Sequence, residues 1–177
     1  YKKCRFHPNF KKLSPAAREL WLSLEGYVQY LIQIKKIEVP EEERKSFRLR
    51  KFLNEVPLFF KDKRNSNIPI LILHMLFLLH QKKYEQVYDR VQALEKYTTR
   101  YLKAGDSFRS NCFIKMLIKM VKASFHPIRT QAYVKELYHK MASDKVTIDE
   151  KSSMIEIVPY EELWDNVLET LQANLKN

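Results

Sequence analysis

Glycine is nearly missing from this chain: Gly26 and Gly105 are the only two in 177 residues. Turn-rich β architectures and glycine-rich phosphate loops depend on it, so its scarcity disfavours both. Cysteine is as scarce. Cys4 and Cys112 make no disulfide framework, and a reducing cytoplasm is the simplest setting. Cys112 lies beside Phe113 and Ile114 and reads as a small core residue. Cys4 and His7 have the spacing of two metal ligands, but no second pair lies nearby to complete a tetrahedral site. No Walker loop, dinucleotide fingerprint, nucleophile elbow, zinc helix or calcium loop occurs. The runs Glu41-Glu42-Glu43 and Glu161-Glu162 fall where helix starts favour negative charge. The expectation is a chain that is not an enzyme and holds no metal or cofactor. No signal peptide is visible, and no apolar run reaches the length of about 20 residues that a bilayer needs. A start at Tyr1 rather than Met suits the C-terminal part of a longer protein.

What is present points to helices. The run from Ile68 to His80 has no polar face at any helical phase, so it must be covered on several sides, as the central helix of an all-α domain. Ser14 and Pro15 suit the cap and first position of a helix to about Ile37. Its apolar stripe is Ala17, Leu20, Trp21, Leu24, Val28, Leu31 and Ile32. Val39-Pro40 resets the backbone before a helix over 41–56. A polar loop over 61–67 follows.

Beyond the central helix, a fourth runs from Tyr84 to about Lys103, with Val87, Tyr88, Val91 and Leu94 inside. A fifth runs to about Phe125, burying Phe113, Ile114, Met116, Leu117, Met120 and Val121. A sixth starts at Pro127, with Ala132, Tyr133, Leu137, Tyr138 and Met141 inside. Met154–Val158 reads as an extended connection, since a lone strand is not stable. The last helix follows Pro159, with Leu163, Trp164, Val167, Leu168 and Leu171 on its apolar face. Residues 1–13 form a basic N-terminal segment, and 14–177 a single helical domain.

The formal net charge is +11, unevenly spread. Residues 1–67 carry 16 bases and 8 acids, 68–140 carry 13 and 5, and 141–177 carry 3 and 8. A basic body of this kind attracts anionic partners. Lys115, Lys119 and Lys122 stand at steps of four and three, hence on one helix face, with Lys103 and Arg109 near that helix start. Arg44, Lys45, Arg48 and Lys51 make a similar stripe earlier. Arg48, Lys51, Lys115, Lys119 and Lys122 are therefore the candidate contacts with a protein or peptide of acidic character. The alternatives are a merely solvated face, a nucleic-acid-binding accessory domain of a regulator, or self-association through Trp164 and the acidic last helix. Interleaved aromatics such as Phe59 and Phe60 beside Lys61 would suit single-stranded nucleic acid, although Tyr84 and Tyr101 fall on apolar helix faces. His74 reads as a buried, hydrogen-bonded histidine, His126 as a turn residue and His139 as an exposed one.

The pair Ile68–Leu102, with its turn at Lys83-Tyr84-Glu85-Gln86-Val87, resembles one tetratricopeptide (TPR) unit. On that register Leu71, His74, Met75 and Leu78 face Val87, Val91 and Leu94 across the helix pair. Met75 and Val87 stand where the family favours small residues, which would widen the helix spacing. The pair Ser107–Ala142 is a candidate second unit. The resemblance implies a short α-solenoid of about seven helices that binds peptides or proteins. The whole also looks like TPR-like helical proteins of bacteria, a likeness that brings no chemistry with it.

Overall fold

A computed structural model describes residues 7–40, 48, 52, 68–101, 108–144 and 156–175, excepting the side chains of 16, 93 and 97–101. The expected helix 41–56, apart from residues 48 and 52, and the loop 61–67 lie outside the described residues, as do Cys4, Lys51, Phe59, Phe60 and Lys103. The chain is all-helical, with no strand among the described residues. It divides into two compact units, 1–61 and 62–177.

The first unit opens with a short 3-10 helix, Pro8–Lys12, capped by His7, whose Nδ1 accepts from the Asn9 N–H at 3.2 Å. Helix α1 spans Pro15–Gln33. Ser14 caps it as its sequence predicts, accepting from the Ala17 N–H at 3.2 Å. Its buried face is not the expected one. Leu22, Ser23, Gly26, Tyr27, Gln29, Tyr30 and Ile32 are buried, while Ala17, Leu20, Trp21, Leu24, Val28 and Leu31 are half-exposed. Tyrosine carries an apolar ring and a polar tip, so a hydropathy stripe undercounts it. Phe52 is also buried, and its N–H donates to the Arg48 carbonyl at 3.0 Å, one helical turn away.

The second unit begins with α2, Ile68–His80. Eleven of its 13 residues are buried, and only His74 and His80 reach solvent in part. A large apolar side chain contributes roughly 1.5–3 kcal/mol on burial, so this run is the main stabilising element. The next three are α3 (Tyr84–Tyr101), α4 (Phe108–Lys122) and α5 (Pro127–Ser143). Each packs on its predecessor in the chain. The last, α6 (Tyr160–Leu175), touches α5, α4 and α2. Contacts are thus not confined to neighbours in sequence, and α6 covers part of the helix that opens the unit.

Glycine scarcity has a local consequence. At the ends of α1, α2 and α4, two backbone N–H groups turn back to the helix carbonyls in the double closure usually given to glycine. After α2, the Lys83 N–H donates to Leu78 at 2.9 Å and that of Lys82 to Leu79 at 3.0 Å. The pairs Lys36–Leu31 and Lys35–Ile32, and Phe125–Met120 and Ser124–Val121, repeat the pattern. Lys35, Lys82 and Ser124 supply the left-handed residue, at φ 62, 56 and 53°. Beyond α4, the ring of Phe125 meets that of Tyr84 at 4.5 Å.

Packing of α6 on α4 is aromatic. Phe113 stacks on Tyr160 at 4.6 Å and meets Trp164 edge-on at 6.1 Å. The buried Tyr160 hydroxyl pairs with Ser110 Oγ at 2.9 Å. The expected buried sets of α4 and α6 are observed, apart from a half-exposed Leu168, and Cys112 is buried. Those of α3 and α5 need correction. Tyr88 is 56% exposed, Tyr133 is 50% exposed and Ala132 is exposed, whereas Thr130 and Val134 are buried. On α5 the apolar residues run nearly round the helix, so periodicity alone did not fix which side turns inward.

Candidate binding face

The α4–α5 hairpin gathers positive charge. Lys115, Lys119 and Lys122 are exposed on α4, and Arg129, Lys135 and Lys140 on α5, against two exposed acids, Glu136 and the C-cap residue Asp144. One side-chain contact crosses between the two helices. Lys119 Nζ donates to the Tyr133 carbonyl at 2.9 Å, crossing from α4 to α5. Burial pushes the Cys112 thiol up. Arg129, Tyr133, Glu136 and Lys140, at steps of four, three and four, follow one edge of α5. Lys122 turns the other way, 3.6 Å from Glu95 of α3, in a pair too exposed to hold much energy.

Of the sequence-derived contacts, Lys115, Lys119 and Lys122 are thus exposed on α4, and Lys119 reaches α5. Arg48 is exposed and belongs to the first unit, and Lys51 lies outside the described residues. Exposed apolar side chains accompany the bases on α5: Ile128 is 72% exposed and Tyr133 half-exposed.

The opposite edge of α5 lines a groove against α6 of about 370 Å³. Val134 and Tyr138 of α5 and Trp164 and Leu168 of α6 make its apolar walls. Gln131, Lys135 and His139 follow each other at one-turn steps along the α5 wall, and Asp165 stands on the α6 wall. Sequence reasoning missed this groove because it placed Ala132 and Tyr133 inside and looked for charge, not shape.

Arg109 also departs from the expectation that it joins the surface lysines. It is buried, and all five guanidinium N–H groups are used. Nε donates to Glu156 Oε2 at 2.8 Å, and one terminal nitrogen donates to Glu156 Oε1 at 2.7 Å and Glu161 Oε2 at 2.6 Å. The other donates to the carbonyls of Met141 at 2.7 Å and Asp144 at 2.9 Å. Glu156 in turn accepts from the Tyr160 N–H at 2.9 Å. Arg109 therefore ties α4 to the end of α5 and the start of α6. Its hydrogen bonds to Glu156 outweigh burial and raise its pKa. The signal was present: Arg109, Phe113, Met116 and Met120 follow steps of four and three along the buried side of α4.

His74 is half-buried, and burial first, then the charges of Arg90 and Lys83, hold its pKa down to about 4. No hydrogen bond to its ring forms among the described residues, contrary to expectation. His126 caps α5, its Nδ1 facing the Arg129 N–H at 3.5 Å, and His139 is exposed. Among the described residues no three His, Cys, Asp or Glu side chains come together as metal ligands. No helix among them is long and apolar enough to cross a membrane. Comparison with protein-family models, curated proteins and solved structures gives no match to this chain.

Proposed function

We propose that this chain is a non-enzymatic, TPR-like interaction module that works in the cytoplasm and holds an acidic protein segment. The hairpins α2–α3 and α4–α5 are read as two stacked helix pairs. The observation that carries the reading is the α4–α5 hairpin, where Lys119 of α4 bonds the backbone carbonyl of the exposed Tyr133 and both helices present exposed bases. A protein contact uses such a mixture: cations draw the partner in, and the exposed ring supplies area that stays buried.

The test is fluorescence anisotropy of the full chain with a labelled acidic peptide, single-stranded RNA and duplex DNA, each at low and moderate salt. Peptide binding weakened by Lys115→Glu with Lys119→Glu is the expected result. Unchanged peptide binding in that double variant would remove the face from the contact. RNA binding with a steep salt slope, and no peptide binding, would replace this reading with nucleic-acid binding, because phosphate contacts displace counterions.

A further inference from the structure

We propose that the α5–α6 groove is the contact between two copies of this chain, related by a two-fold axis that runs along the groove. The proposal does not depend on the acidic-partner reading, since it uses none of the α4 lysines. Its first ground is an apolar stripe that continues past the groove on both helices. Ile128, 72% exposed, precedes Gln131 by three positions and Lys135 by seven, so it stands on the groove edge of α5. Leu175, 59% exposed, follows Leu168 by seven, on the groove edge of α6. Tyr138 and Leu168, one on each wall, are themselves half-exposed. Large apolar side chains left open along two adjoining helices mark a surface that meets another protein.

Charge decides which occupant fits and how it is turned. Helix α6 carries Glu161, Glu162, Asp165 and Glu169 and no base, with Glu161 held by Arg109. Helix α5 carries Arg129, Lys135 and Lys140 against Glu136. The groove thus has one acidic and one basic wall, and Asp165 and Lys135 line it from opposite sides without pairing to each other. A wholly acidic or wholly basic segment would be repelled by one wall. A second copy is not. A half-turn about the groove direction lays α5 of each copy over α6 of the other, so Lys135 of each meets Asp165 of the other. An axis across the groove would instead stack α6 on α6 and bring the acids together. The half-exposed Tyr138 and Leu168 of each copy then enter the apolar slot of the other, about 370 Å³ in volume. Helices of 17 and 16 residues give a face about 24 Å long and, two helices abreast, about 20 Å wide. The pair therefore buries about 1,000 Å², the low end of specific interfaces and the size of a weak, reversible dimer.

Sedimentation equilibrium of the full chain reads the contact. The measured mass should rise from one chain towards two across the micromolar range. Ile128→Asp and Leu175→Ser, each at a position mostly in solvent, should weaken association about fivefold or more. Lys135→Asp and Asp165→Lys should each weaken it about tenfold, because two attractions per dimer become repulsions. An equimolar mixture of those two single variants should recover association, since each lysine again faces an aspartate across the axis. Pairing within one chain cannot produce that recovery. Far-ultraviolet circular dichroism of each variant checks that the helices persist. A chain that stays monomeric at high micromolar concentration would overturn the proposal and leave the face to a different partner. Association that ignores both Ile128→Asp and Leu175→Ser would also overturn it. So would a mixture that fails to recover, or growth beyond two chains, since a two-fold contact closes on itself.

Discussion

Replacing Arg109 by methionine keeps an unbranched apolar stem and removes every donor. The Glu156 carboxylate, whose side chain is 9% exposed, then loses both partners on Arg109, and the carbonyls of Met141 and Asp144 lose theirs. Removing one partner of a buried ion pair costs about 3–5 kcal/mol, because the other charge stays desolvated. Glu161 is less committed, since its side chain is 31% exposed and water reaches it. Glu161→Gln, which keeps an acceptor, should cost only about 1 kcal/mol. Arg109→Met combined with Glu156→Met should recover much of the loss, because well-packed apolar groups often replace a buried pair at little cost. Urea unfolding followed by Trp164 fluorescence, in a Trp21→Phe background, reads α6 directly. A loss below about 1 kcal/mol for Arg109→Met would refute the view that this network fastens α6.

His74 gives a pH prediction. Its folded pKa of about 4 lies below the ordinary value of 6.5, so the unfolded chain binds a proton first, and stability should fall by up to about 3 kcal/mol from pH 6.5 to 4. His74→Leu should flatten that slope in an unfolding series across pH. Burial pushes the Glu161 carboxyl up, but the Arg109 hydrogen bond, its own backbone N–H and the guanidinium charge together bring it below the usual range. Its contribution is therefore present above the unfolded carboxylate pKa of about 4.3 and lost as pH falls through the folded value. Lys82→Gly should raise stability by up to about 1 kcal/mol, since glycine adopts the left-handed backbone at φ 56° without a Cβ clash. Thr130 Oγ1 is buried with no partner among the described residues, so Thr130→Val should stabilise by about 1 kcal/mol in the same urea assay.

The all-helical class, the central helix Ile68–His80, the cap at Ser14, the helix start at Pro127, and the buried sets of α4 and α6 were legible because each rests on local chemistry: periodicity, proline, or a side chain that can cap. The errors have one origin. Where a helix carries apolar or aromatic residues on more than one side, as α1 and α5 do, hydropathy names several candidate faces. The partner helix then selects among them. Arg109 shows the same limit for charge. Its position on the apolar side of α4 was readable, but a buried guanidinium is tolerable only where five acceptors converge, and those come from residues 32 to 52 positions later in the chain.

The sequence by itself determined that this chain folds into helices around one apolar run and that its ionised groups are predominantly basic. The first property depends on side chains within one or two turns of each other, the second on composition. Only the tertiary structure decided what each cation meets. It set Lys119 of α4 against the Tyr133 carbonyl of α5, took Arg109 out of the surface stripe, and opened a groove along one edge of α5. The reason is geometric: a helix fixes the angular spacing of its own residues, whereas the rotation of that helix against its neighbours is set by the fit of surfaces far apart in the chain.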